Sequence, residues 1–114
     1  MVNTPSVHRR EDLKYVERGN AGTSKVTMAW NICSTEDDLR SGYVNWDGDD
    51  APPKTLDYEE VILVVSGEFG IRLAGGATVT ASEGDVIHIP KGSTATYFGK
   101  AMLFFAITVP DSMK

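Results

Sequence analysis

Glycine-bearing turns interrupt this chain too often for long helices to form. Between Lys25 and Val109 the turn signals Ser66-Gly67, Gly75-Gly76, Glu83-Gly84-Asp85 and Lys91-Gly92-Ser93 separate short runs rich in β-branched and aromatic residues. Val26, Met28 and Trp30 alternate with Lys25, Thr27 and Ala29, the period of a half-buried strand. The same reading predicts strands over 43–46, 59–65, 68–73, 78–81, 86–89, 94–98 and 101–109, with a loop over 47–53. Ser34 and the acids after it predict one helical turn, ended by Gly42. Many short strands without a long helix predict an all-β antiparallel sandwich or barrel over 25–114, preceded by a partly irregular segment over 1–24.

A chain of 114 residues makes one ordinary domain and buries about two-thirds of its unfolded surface, so it needs neither a metal nor a disulfide to fold. Its formal charge is -5, which argues against nucleic acid or an anionic membrane as a partner. The acidity is concentrated: 36–60 carries nine acids against Arg40 and Lys54, a net of -7, and the remainder sums to +2. A solvated loop region accounts for that cluster. Asp47-Gly48-Asp49-Asp50 is no EF-hand, because Pro52 stands where the loop needs glycine and Tyr58 where it needs glutamate. The single cysteine, Cys33, fits a reducing compartment, and Met1 to Lys14 lacks the apolar stretch of a signal peptide. The longest apolar run, Ala101 to Ile107, is too short to span a membrane. A cytoplasmic location is expected. The chain has two histidines, His8 and His88, so no site of three histidines can be built within it.

Glu60 is followed after six residues by Gly67, and Gly84 after five by Pro90, then by Gly92. This spacing resembles the two motifs of the cupin superfamily, which implies a small RmlC-like jelly-roll barrel. In that family the first motif places two histidines before the glutamate, and the second places one after its glycine. The matching positions here are Pro53 and Thr55, or Lys54 and Leu56, together with Ala95. All three imidazoles are missing and Glu60 alone remains, so no metal and no other cofactor is expected. The segments Thr55-Leu56-Asp57-Tyr58-Glu59-Glu60 and Ile89-Pro90-Lys91-Gly92-Ser93, with Trp46, resemble the ethanolamine-utilisation cupins of the EutQ type. The resemblance covers about 42–110 and implies a small polar or amine metabolite as ligand. Lys54 departs from the aromatic residue expected at its position. Some relatives carry an extra N-terminal region connected with acetate kinase activity. This sequence has neither that region nor a phosphate-cradling G-x-x-x-x-G-K-[ST] loop, so kinase chemistry is not expected.

If Glu60 faces inward like the family glutamate, alternation turns Tyr58, Ile62 and Val64 inward with it, and Tyr97 shares the face of Ala95. Glu60 and Tyr58 are the candidate catalytic pair. Lys54, Tyr97, His88, Trp46 and Trp30 are candidate binding residues, with the two tryptophans supplying aromatic wall. A carboxyl among such walls should have a raised pKa, suited to acid–base work or to a cationic ligand, and aromatic faces attract ammonium groups. Each residue also has an ordinary role open to it: Glu60 as an idle pocket acid, the tyrosines as core, Lys54 as a solvated loop residue. His88 falls on the face of Val86, and alternation does not say which face is inside. Two functions therefore stand: a metal-free binding module, or an isomerase, epimerase or lyase pairing Glu60 with a tyrosine or His88. Ala101 to Val109 is apolar on both faces, so its outer side should meet the N-terminal segment or a second copy, and a homodimer is expected.

Overall fold

A computed structural model describes residues 4–34 and 36–114. The strands are β1 (Val16–Glu17), β2 (Lys25–Ile32), β3 (Leu39–Gly48), β4 (Lys54–Thr55), β5 (Glu60–Leu73), β6 (Thr78–Ser82), β7 (Val86–Ile89) and β8 (Thr94–Thr108). They form an antiparallel sheet in the order β1-β2-β3-β8-β5-β6, with β4 on β8 and β7 on β5. Single 3-10 turns at Arg10–Asp12 and Asp111–Met113 lie outside it. Closing a strongly bent antiparallel sheet on itself leaves one inner face, and that is where the core sits.

Two strands are longer than the sequence predicts. The runs expected at 59–65 and 68–73 are one strand, β5, and those at 94–98 and 101–109 are one strand, β8. The intervening glycines bend the strands instead of ending them. Gly67 has φ +84°, and a Cβ there would lie 2.2 Å from the Lys100 carbonyl oxygen; Gly99 has φ +130°, and its Cβ would lie 2.5 Å from that of Glu68. The two backbones therefore approach more closely than side chains permit. Just before this corner, β5 carries a bulge between Val64 and Ser66. It inserts one residue, so the buried positions change from Glu60, Ile62 and Val64 to Phe69 and Ile71. In β8 the parity is unbroken: Ala95, Tyr97, Leu103, Phe105 and Ile107 are all buried. Each fully buried aliphatic or aromatic side chain contributes about 1.5–3 kcal/mol.

Gly42 does not end a helix, as expected from sequence; it lies within β3. A Cβ there would meet the Ala29 carbonyl oxygen at 2.5 Å and the Phe105 ring at 3.0 Å, so the glycine serves close packing. A turn is nonetheless present where Ser34 begins it, with the Asp37 amide donating to the Ser34 carbonyl at 3.3 Å and the Glu36 amide to Ser34 Oγ at 3.1 Å. Thr35 lies outside the described residues. The N-terminal segment is tied to the sheet: β1 pairs with β2, and the Arg18 amide donates to the Val26 carbonyl at 2.9 Å. The loop after it is fastened by Asp50, whose carboxylate accepts from the Thr23 amide and from the hydroxyls of Thr23 and Ser24. These bonds hold the Asp50 carboxyl down at about 2.

The outer face carries Tyr43, Phe104, Leu63 and Val86 in one row across β3, β8, β5 and β7. Leu63 and Val86 are exposed, and Tyr43 meets Phe104 edge to face at 5.2 Å.

Candidate functional site

Inside the barrel a cavity of about 190 Å³ opens at one end. Its acid is Glu60, the first residue of β5, buried with 8% of its surface exposed. Tyr97, from the neighbouring β8, donates its hydroxyl to Glu60 Oε1 at 2.8 Å. Burial raises the Glu60 pKa, against the opposing effects of the Tyr97 hydrogen bond and the charges of Lys54 and Arg18. Burial also raises both Tyr97 and Tyr58, so these phenols keep their protons. The wall is aromatic: Trp46 packs edge to face on Phe69 and Tyr97, each at 5.6 Å, and its indole N–H donates to the Gly48 carbonyl at 3.0 Å. Trp30, 40% exposed, stands at the rim and meets Phe105 edge to face at 5.3 Å.

Two cations border this space. Lys54 Nζ lies 5.1 Å from the centre of the Tyr58 ring, and its pKa is lowered, chiefly by burial and then by the charge of Arg18. Arg18 Cζ lies 5.4 Å from the centre of the Trp46 ring and 5.8 Å from that of Tyr97.

Six of the sequence-derived residues thus line one cavity: Glu60, Tyr58, Lys54, Tyr97, Trp46 and Trp30. His88 does not join them. It projects from the outer face of β7, on the side of Val86, and its Nε2 lies 2.5 Å from Glu59 Oε2, with both side chains about half exposed. Ile87 and Ile89 take the inward positions of that strand. Arg18 is the site residue that sequence reasoning misses. It follows a two-residue strand with no apolar alternation around it, and tertiary bonds alone fix its place.

The structure places the two candidate pairs of motif positions differently. Lys54 lines the cavity, Leu56 is 1% exposed, and both share the inward parity of Tyr58 and Glu60, whereas Pro53 and Thr55 are exposed. Lys54 faces Ala95 directly across the β4–β8 pair. Along this part of the inner face the chain presents an ammonium, an isobutyl group and a methyl. Among the described residues no group of three or more histidine, cysteine or acidic side chains is close enough together to hold a metal. One carboxylate with two phenols and two cations does not fit a transition ion, which the cations would repel.

The barrel has the fold of the RmlC-like cupins: it superposes on one from Shewanella frigidimarina with a TM-score of 0.74 over 95% of this chain and 94% of the other, at 14% identity. Within that class, residues 4–112 match the family described as ethanolamine utilisation protein EutQ, and the chain belongs to that family. It is similar to the acetate kinase EutQ of Salmonella typhimurium strain LT2, with 39% identity over 59 residues. That match covers 52% of this chain and 25% of the relative, so the chain answers to only a part of the longer protein. The solved structure of an ethanolamine utilization protein Q from Salmonella typhimurium LT2 is 27% identical, with a TM-score of 0.74, covering 90% of this chain and 83% of that one. No helix among the described residues is long and apolar enough to cross a membrane.

Proposed function

We propose that this chain is a metal-independent cupin that encloses a small polar metabolite in its barrel, in the service of ethanolamine utilisation as its family name implies. The observation that carries this reading is the Glu60–Tyr97 hydrogen bond at 2.8 Å, set in an aromatic cavity; neither candidate pair of motif positions, Pro53 and Thr55 or Lys54 and Leu56, nor Ala95 supplies an imidazole. A buried carboxyl that already holds one phenol keeps an oxygen for a ligand, and the aromatic walls supply contact area. Protein purified without a metal-binding tag, then offered iron, manganese, nickel and zinc, is expected to retain under about a tenth of an equivalent of each. Stoichiometric metal would overturn the reading. The acetate kinase activity in the relative's name belongs to a protein of which this chain matches a quarter.

The raised pKa of Glu60 favours a second reading, proton transfer as in an isomerase, epimerase or lyase. Glu60 would then serve as the base once ionised, and Tyr58, which keeps its proton and lines the same cavity, as the acid. An enzyme of this kind exchanges a carbon-bound hydrogen of its ligand with deuterium from the solvent, which proton NMR detects. Glu60→Gln is expected to slow such exchange by orders of magnitude with the fold intact, whereas a pure binder shows no exchange and only an altered affinity. We further propose that the outer apolar row of the sheet, Tyr43, Phe104, Leu63 and Val86, pairs with the same row of a second copy.

A further inference from the structure

We propose that Arg18 and Lys54 form an oxyanion anchor at the cavity mouth, so that the ligand is a carboxylate or phosphate carried on a compact apolar or planar body. This rests on the reading of the cavity as a metabolite site and names the class of metabolite. Neither cation has a carboxylate within ion-pair distance among the described residues; the ion pairs seen there join other groups. Two acids act on Lys54: Glu60, whose Oε1 already accepts from Tyr97, and Asp57, which lies outside the cavity lining and accepts from the Ser112 amide. The cavity therefore presents two positive groups against at most one negative group, in a chain whose formal charge is -5.

That imbalance is costly while the site is empty. Lys54 is half-buried, and the charge of Arg18 acts against its own, as its lowered pKa records. An anion between the two relieves both the repulsion and the desolvation. Arg18 is suited to such a ligand, since its guanidinium lies over the Trp46 and Tyr97 rings, with Cζ 5.4 Å and 5.8 Å from their centres, and no ion pair among the described residues engages its fork of donors. Beyond the cations the lining is apolar and aromatic, so a bare ion would leave most of the cavity unfilled. An ammonium group, attractive to aromatic faces in isolation, would meet two like charges here.

Titration of the tryptophan fluorescence with benzoate, phenyl phosphate, acetate, benzyl alcohol and benzylamine tests the idea. Benzoate or phenyl phosphate is expected to bind at least about tenfold more tightly than benzyl alcohol, acetate or benzylamine. Arg18→Gln and Lys54→Gln are each expected to remove about tenfold of that advantage while leaving benzyl alcohol unaffected. Preference between benzoate and phenyl phosphate tells which oxyanion the anchor suits. Benzylamine binding as tightly as benzoate, or both variants binding the oxyanions like the native chain, would overturn the anchor. Acetate matching benzoate would overturn the requirement for an apolar body. If benzyl alcohol binds but neither aromatic oxyanion gains over it, the anchor fails and the metabolite cavity stands. If no probe binds below about 10 mM, both fail.

Discussion

At the scale of single residues, the site depends on what burial does to Glu60. Its folded pKa is raised, so between its ordinary value and the folded one the native state holds a proton that the unfolded chain releases. Its contribution to stability is complete below the unfolded pKa and is lost as pH rises through the folded pKa. Each unit of upward shift amounts to about 1.4 kcal/mol. Urea melts of the native chain between about pH 5 and pH 8 should therefore show a fall in stability that Glu60→Gln flattens, since glutamine still accepts from Tyr97 and does not ionise. An equal slope in both proteins would count against a raised pKa. Tyr58 is legible in the sequence because alternation from Glu60 turns it inward, whereas Lys54 lies in a separate two-residue strand and inherits no parity from β5. His88 is different. Alternation pairs it with Val86 but carries no sign for inside or outside, and that sign comes from the register of Val61 against His88, which places both outward. Arg18 has no parity to inherit. Its position depends on β2 and on a loop fastened by Asp50, 27 residues further along than Thr23.

At the scale of the elements, the glycine corner between β5 and β8 sets the shape of the barrel. Gly67→Ala combines a left-handed backbone with a Cβ 2.2 Å from a carbonyl oxygen, whereas Gly84→Ala, at φ +88°, points its Cβ into open space. Alanine at Gly84 should cost about 1–2 kcal/mol, the penalty of the left-handed region alone. At Gly67 the clash adds to it, and a loss of about 3 kcal/mol or more is expected in chemical denaturation. Equal losses would show that the close approach is easily relaxed. The same glycines explain why strand length was the least legible feature of the fold. In sequence, a glycine beside a polar residue marks a turn, and Gly75-Gly76 and Gly84 are turns. Gly67 and Gly99 differ only in having another strand's backbone against them, which no local pattern records. The fold class survived these divisions because a long bent strand buries the same residues as two short ones.

At the scale of the whole molecule, the proposed pairing through the outer row makes a measurable claim. The native chain should run as a dimer in light scattering coupled to size exclusion. Leu63→Glu and Val86→Glu, both on the exposed face, should yield a folded monomer that keeps its cavity. A native monomer would remove the proposal. The acid and the cation of the site also differ in how they are held. Tyr97 and Glu60 come from β8 and β5, which pair with each other over most of their length, and β8 additionally binds β3 and β4. Such amides open only when nearly the whole sheet opens. Arg18 hangs from β1, two residues at the free margin of the sheet. Hydrogen exchange should find the Arg18 amide opening orders of magnitude more often than that of Tyr97, and similar protection at both would refute this. The site would then join a permanent acid to a breathing cation. Occupancy should slow the exchange of the Arg18 amide while leaving that of Tyr97 unchanged, and the frequency of that local fraying would limit how fast a ligand enters or leaves.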